Sequence, residues 1–185
     1  MADKKSMWNE AGTAGLVLGG VSVLYLALTA LTGKVNPDNK GLVLMAAGAN
    51  MLLWVAKFIA CIMLMKHFLK QRSANDPDAT NQDIFKYGSI VALLSALVYS
   101  ACYLAYMQFI APDTLSNALE MLRDNPMMDA NSLDMAEEML PKMSGFMFFF
   151  NLIYCWIFGT VLSAIFSRNI PPVNPFANTN KPDEQ

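Results

Sequence analysis

The chain alternates long apolar blocks with short polar segments. Four blocks each reach the roughly 20 residues that a helix needs to cross a hydrocarbon layer about 30 Å thick. Because lipid offers no partner for backbone polar groups, each block is predicted to be helical. The blocks run over residues 12–32, 41–65, 87–110 and 145–167. The pattern therefore predicts an all-α, polytopic membrane protein with one four-helix transmembrane domain over residues 1–168.

The composition agrees with this class. Of 185 residues, 55% are hydrophobic and only 15% are charged, which is unusually apolar for a soluble domain of this size. The lipid bilayer is therefore the first expected partner, and no nucleic-acid partner is expected. The first block is too long for a cleaved signal peptide and no small-residue cleavage motif follows it, so we expect it to be retained.

The distribution of Lys and Arg predicts the orientation of the helices. Eight of these cations lie at the N-terminus, in the second connection and at the C-terminus, whereas four lie in the other two connections. Cytoplasmic segments carry an excess of Lys and Arg. We therefore predict a multi-pass protein of the bacterial inner (cytoplasmic) membrane with both termini in the cytoplasm.

Two polar regions lie outside the apolar blocks. Residues 111–143 contain seven acids against Arg123 and Lys142, and their apolar residues recur at helical spacing in two runs separated by Asn125-Pro126. This pattern predicts a short acidic extracytoplasmic helical hairpin between helices 3 and 4. Residues 169–185 are rich in Pro and end in polar residues, which predicts a disordered cytoplasmic tail.

The sulfur-containing residues do not define a metal site. Six Met residues in the predicted hairpin suggest copper(I), because thioethers are soft ligands. Met is also a common filler of helical contacts, however, and no Cys or His joins this group. Cys61, Cys102 and Cys155 fall at three different depths. No metal and no cofactor are therefore expected.

One charge interrupts the apolar blocks. Lys57 lies inside the second block, where a charge on an isolated helix costs at least about 2.5–3.5 kcal/mol. Helical spacing places Lys57 on the same face of its helix as Trp54 and Cys61. The rise per residue of a helix places it at a height similar to that of Tyr99 on the third helix. A second polar layer lies nearer the outside. The candidate intramembrane polar cluster is Lys57, Asn50, Tyr99, Tyr103 and Asn151.

Several interpretations of Lys57 stay open. No Asp or Glu occurs in the four blocks, so the expected counter-group is a hydroxyl, a carbonyl, a lipid headgroup or another protein. Lys is a point-charge binder of phosphate, which suggests an anionic lipid. Alternatively, the long side chain extends toward water, or burial keeps the amine neutral.

Small residues at four-residue spacing mark helix-packing faces. Such spacing lets two membrane helices approach closely. The candidate packing residues are Gly15, Gly19, Cys155, Gly159 and Ser163. Packing inside the chain's own bundle is the favoured interpretation, and a contact between two copies is the alternative.

Three segments resemble a known family. The opening Trp8-Asn9-Glu10-Ala11, the run Phe109-Ile110-Ala111-Pro112-Asp113 and the helix end Leu162-Ser163-Ala164-Ile165-Phe166 are similar to the Bacteroidota membrane-protein family known as domain of unknown function number 4199. The resemblance covers Trp8 to about Arg168. It implies an inner-membrane protein without a catalytic signature. Because members can sit near lipid-linked glycosyltransferases in genomes, it also implies a link to lipid-linked glycosyl transfer.

The chain carries no catalytic constellation. It has no Ser-His-acid set, no phosphate-binding glycine loop and no paired His for zinc, so no enzyme is expected. Two functions remain. The first is a scaffold or accessory subunit of a membrane complex, with a membrane-protein partner or self-association. The alternative is a small transporter or lipid-binding protein in which Lys57 holds an anionic group.

Overall fold

The computed structural model describes residues 2–32, 40–124 and 129–170, and every regular element in these ranges is helical. The predicted tail over residues 169–185 lies outside these ranges except for its first two residues. A π-helical turn, Tyr106–Ile110, continues the third helix. The helices are α1 (Ala2–Thr32), α2 (Lys40–Asn75), α3 (Asn81–Ala105), α4 (Thr114–Arg123) and α5 (Ala130–Asn169).

Four of these helices are long and apolar enough to cross a membrane. The candidate spans are Ser6–Thr32, Gly41–Asn75, Asn81–Ile110 and Lys142–Asn169. A helix satisfies its backbone hydrogen bonds internally, which is the requirement that lipid imposes on a single spanning segment. The predicted all-α fold with four membrane-spanning helices is confirmed.

Helix α3 lies at the centre of the bundle. It packs along α1 on one side and along α5 on the other, whereas α2 contacts its neighbours less extensively. The densest packing lies at the end of the bundle where α1 and α3 begin and α2 and α5 end, and it completely buries Ala11, Leu69, Ile84 and Val91. Lipid tails are as apolar as these side chains, so close van der Waals contact supplies much of the stabilisation.

The connection between α2 and α3 is short. Helix α2 continues to Asn75, and α3 begins at Asn81. The hydroxyl of Thr80 accepts a hydrogen bond from the backbone N–H of Asp83 at 3.2 Å, and the Asp83 carboxylate accepts one from the backbone N–H of Thr80 at 3.1 Å. This capping box satisfies two backbone donors that a helix start would otherwise leave unpaired.

Replacing Thr80 by Ala is expected to destabilise the bundle modestly. The change removes the hydroxyl that caps α3, and losing such a cap costs about 1 kcal/mol. Thr80→Ser keeps the hydroxyl and is the matched control. The two variants are compared by the fraction of monodisperse protein after heating in detergent. Equal heat resistance in Thr80→Ala and Thr80→Ser would show that the cap contributes nothing.

The acidic region forms one separate helix and one helix extension. Helix α4 is the first helix of the predicted hairpin, but the second is the beginning of α5, which runs without a break into the fourth span. The junction contains Pro141 and Gly145, which cost about 3 and about 1 kcal/mol relative to Ala inside a helix, yet α5 continues through both. Arg123 of α4 donates a hydrogen bond to Glu137 and joins α4 to this extension.

Candidate functional site

A cavity of about 140 Å³ lies between the four long helices, next to the dense core. Leu18, Met65 and Ala92, which belong to that core, line it. Most of the remaining wall is aromatic or small, and one wall residue is charged. The polar side chains at the wall are Ser22, Lys57, Cys61, Ser95, Tyr154 and Cys155.

Lys57 of α2 directs its ammonium group between α1 and α3. The Nζ atom lies 4.9 Å from the ring centroid of Tyr25 on α1 and 4.6 Å from that of Tyr99 on α3. Both distances fall within the range of about 6 Å for a cation–π interaction, in which the negative face of a ring attracts a cation. Among the described residues, no hydrogen bond or ion pair involves Lys57. Its three N–H donors are therefore available to a group in the cavity.

The structure adds aromatic neighbours to Lys57, because its ammonium group lies over the faces of two tyrosine rings. The expected counter-group, which is a hydroxyl, a carbonyl, a lipid headgroup or another protein, stays a prediction. The pairing with Tyr99 joins two members of the predicted polar cluster. Tyr25 was missed, because α1 shows no polar stripe around it. The sequence offered one signal, because Tyr25 is the aromatic residue in a block, residues 12–32, that otherwise carries aliphatic and small side chains.

The other predicted cluster residues lie apart from the cavity. The Tyr103 ring lies 6.2 Å from the Tyr99 ring and 6.5 Å from that of Tyr106, so three tyrosines follow one face of α3 into the π-helical turn. The Asn50 side-chain oxygen accepts a hydrogen bond from the Thr32 hydroxyl at 2.6 Å, which joins α2 to the end of α1. Asn151 is half-buried on α5 and does not line the cavity.

The cavity opens sideways between α2 and α5. Trp54 of α2 and Tyr154 of α5 line it, yet they are 54% and 62% exposed on the outer surface of the bundle. One helical turn further along, the rings of Phe58 and Phe158 meet at a centroid distance of 5.4 Å and join the same two helices. The opening therefore faces the hydrocarbon layer, with aromatic side chains at its edge.

The predicted packing residues lie at contacts within the bundle. A Cβ atom added at Gly15 would lie 2.7 Å from Leu94 Cβ, and one at Gly19 would lie 2.9 Å from Val98 Cβ, so α1 approaches α3 closely at both positions.

Helices α3 and α5 approach equally closely. A Cβ atom at Gly159 would lie 2.5 Å from Ala92 Cβ, and Ser163 donates a hydrogen bond to the Phe85 carbonyl oxygen. Cys155 and Gly159 of this stripe also line the cavity.

A second cavity lies at the opposite edge of the dense core. It has a volume of about 230 Å³ and is lined mostly by polar residues of α1 and α2, together with Ala14, Phe68 and Tyr87. Arg72 is 11% exposed there and pairs with Glu10 at 3.1 Å and with Asp76 at 2.9 Å. Because two carboxylates already engage Arg72, this cation is occupied in fastening α1 to α2.

The cysteines near the first cavity do not form a metal site. Within the described ranges, no three His, Cys, Asp or Glu side chains lie close enough together to hold a metal ion. The Cys61 sulfur lies 4.0 Å from the Ser22 hydroxyl oxygen, and both face the cavity. These groups can act as weak hydrogen-bond partners for a bound molecule.

Four membrane-length helices around a lysine-bearing cavity define an α-helical, polytopic membrane protein. A family model described as "Protein of unknown function (DUF4199)" matches residues 13–168, and the chain belongs to this family. A search of curated proteins and a search of solved structures each returned no match. The suspected family is confirmed, and its description assigns no activity.

Proposed function

We propose that this protein is a non-catalytic membrane protein that binds the anionic group of a lipid at Lys57. The observation that carries the proposal is the position of the Lys57 ammonium group. It lies at the wall of a cavity open to the hydrocarbon layer, and its three donors have no hydrogen-bond acceptor among the described residues. An anionic group in the cavity would supply both the acceptors and the opposite charge.

Lys57 lies deep in the apolar block, where a nearby negative charge would stabilise it. At 1.5 Å per residue, the lysine lies about 13 Å from Lys66 and about 24 Å from Gly41 along α2. Two tyrosine faces attract the ammonium group but carry no net charge, so they do not neutralise it. Attraction between opposite charges is much stronger in a medium of low dielectric constant than in water. The attraction between Lys57 and an anion is therefore stronger in the cavity than at the membrane surface, and it acts against the cost of removing the anion from water.

The sideways opening gives a lipid a route to the cavity. A lipid that diffuses in the bilayer can present its polar end between α2 and α5 while its chain stays in the hydrocarbon layer. The exposed rings of Trp54 and Tyr154 flank this route. Binding of this kind suits lipid storage or transfer between partners and requires no bond to be made or broken.

Lys57→Met is expected to lower the amount of anionic lipid that copurifies with the protein by about tenfold or more, equivalent to about 1.4 kcal/mol. Methionine keeps a long, unbranched side chain and removes the charge. Lys66→Met on the same helix is the matched control, because Lys66 is exposed at the edge of the apolar block. The bound lipids are extracted and quantified by mass spectrometry. Equal lipid content in Lys57→Met and Lys66→Met would overturn the proposal.

A role as scaffold or accessory subunit is the second candidate, and the acidic extension favours it. Helix α4 and the first part of α5 are joined by Arg123 and Glu137, and their carboxylates are exposed. This surface suits a basic partner on the outer side of the inner membrane, given the predicted cytoplasmic termini. A link to lipid-linked glycosyl transfer would fit a lipid-binding subunit.

The partner proposal is tested by crosslinking in native membranes. Charge reversal of Glu120, Asp134 and Glu138 to Lys is expected to remove the crosslinked species, and the change of the exposed Gln82 to Lys on the other side serves as the control. A crosslinking pattern unchanged by reversal of the three acids would exclude this surface as the contact.

A further inference from the structure

We infer that the ligand of the Lys57 cavity is a single-chain amphiphile with a carboxylate head, such as a long-chain fatty acid anion. This inference rests on the proposed function and specifies its ligand class. Three properties of the cavity carry it: its charge, its size and its hydrogen-bond donors.

The lining of the cavity carries one positive charge, which one negative charge on a ligand would neutralise. Among the described residues that line the cavity, Lys57 is the only Lys, Arg or His, and none is Asp or Glu. A carboxylate carries one negative charge, so the pair is neutral. A phosphate monoester carries about 1.5 to 2 negative charges at neutral pH and would leave an uncompensated charge in a low-dielectric site. The polar cavity at the other edge of the core cannot compensate, since Glu10 and Asp76 engage its arginine.

The size of the cavity suits a small head. A volume of about 140 Å³ accommodates a carboxylate and a few methylene groups, whereas the glycerol and second chain of a phospholipid have no room. The contact between Phe58 and Phe158 closes the gap between α2 and α5 on one side of the opening. A single chain can leave past Trp54 and Tyr154 and lie against the outer surface of the same helices.

The donors of the cavity suit two oxygen atoms. Besides the Lys57 ammonium group, the wall offers the hydroxyls of Ser22 and Ser95, on α1 and α3. A carboxylate has two oxygens that together accept about four hydrogen bonds, and the three ammonium N–H groups with the two hydroxyls are sufficient for both oxygens. A phosphate monoester has three strong acceptor oxygens, which together accept more hydrogen bonds than these groups donate, and a buried acceptor without a partner costs about 1–3 kcal/mol.

The test measures binding of matched amphiphiles to the full-length, delipidated protein in detergent. Palmitate, hexadecyl phosphate and hexadecanol have straight chains that differ by no more than one carbon and carry different heads. The measurements are made at mildly alkaline pH, where both acids are ionised. We expect palmitate to bind at least about tenfold more tightly than either of the others, equivalent to about 1.4 kcal/mol. We expect Lys57→Met to remove this preference and Lys66→Met to retain it.

Each alternative result identifies the step that fails. If hexadecyl phosphate binds as tightly as palmitate and Lys57→Met weakens both, the carboxylate inference is wrong and the proposed anionic-lipid function stands. If hexadecanol binds as tightly as palmitate, or if Lys57→Met leaves palmitate binding unchanged, the lysine does not select an anion and both proposals fail. Lys57→Arg keeps the positive charge, so it is expected to bind palmitate measurably, and loss of binding in this variant as well would contradict a charge-based site.

Discussion

Gly88→Val is expected to separate α3 from α5 and α2 and to lower the free energy of unfolding by about 3 kcal/mol or more, at the upper end of overpacking effects. A Cβ atom at position 88 would lie 2.8 Å from both Leu69 Cδ2 and Ser163 Cβ and would meet the Ser163 hydroxyl directly. Both neighbours are fully buried and have no free space to move into. The displacement also breaks the hydrogen bond from Ser163 to the Phe85 carbonyl oxygen.

The same substitution at Gly48 provides the control for Gly88→Val. A Cβ atom added at Gly48 of α2 meets nothing within 4 Å, so valine there extends into the surrounding lipid. Valine is also a better helix former than glycine, and Gly48→Val is expected to be neutral or slightly stabilising. Unfolding by sodium dodecyl sulfate in mixed micelles compares the two variants. Equal stability of Gly88→Val and Gly48→Val would show that the close approach at Gly88 does not hold the bundle together.

The packing residues illustrate what the sequence can predict about this fold. Gly15, Gly19, Gly159 and Ser163 recur at four-residue spacing, which predicts a face where two membrane helices approach closely. All four lie at contacts between helices in the structure, whereas Gly48 belongs to no such stripe and meets nothing within 4 Å. The apolar blocks are equally informative, because the thickness of a bilayer sets the length of a span independently of tertiary structure.

The candidate site was harder to predict, because its parts come from different helices. Periodicity relates Lys57 to Trp54 and Cys61 on one helix, and all three line the cavity. It gives no information about Tyr25, which becomes a neighbour only through the rotation of α1. The ion pair between Glu10 and Arg72 was missed for the same reason, since it joins residues far apart in sequence. Rotation and tilt depend on packing between helices, which a single helix pattern does not contain.

The length of α5 shows a different limit. The sequence favours a hairpin because polar, acidic residues precede the fourth apolar block, and a change in polarity suggests a change of element. Polarity determines the solvent around a helix, whereas helix continuation depends on backbone propensity. Glu, Met and Leu are good helix formers, and α5 crosses the boundary from water to lipid without a break even though it contains Pro141. The position at which α5 enters the membrane is therefore different from the position at which the helix begins.

Tyr99→Leu is expected to destabilise the delipidated protein by about 2 kcal/mol through the loss of its interaction with Lys57, the magnitude of a desolvated cation–π contact. Leucine retains apolar bulk but has no negative ring face for the ammonium group, whose Nζ atom lies 4.6 Å from the Tyr99 centroid. The loss of packing is a separate effect of the same change. A double-mutant cycle with Lys57→Met isolates the interaction, because packing losses occur in both backgrounds and cancel.

The expected coupling energy between Lys57 and Tyr99 is therefore about 2 kcal/mol, measured by unfolding in mixed micelles. Tyr103→Leu supplies the control cycle. Tyr103 is the next tyrosine along α3. Among the described residues, its ring contacts the rings of Tyr99 and Tyr106 and not the Lys57 ammonium group. Its coupling to Lys57 should stay within about 0.5 kcal/mol. A Tyr99 coupling as small as that of Tyr103 would mean that the ring face does not stabilise the charge. The ammonium group would then depend on water or a bound anion alone, so palmitate should stabilise Tyr99→Leu more than the unmodified protein.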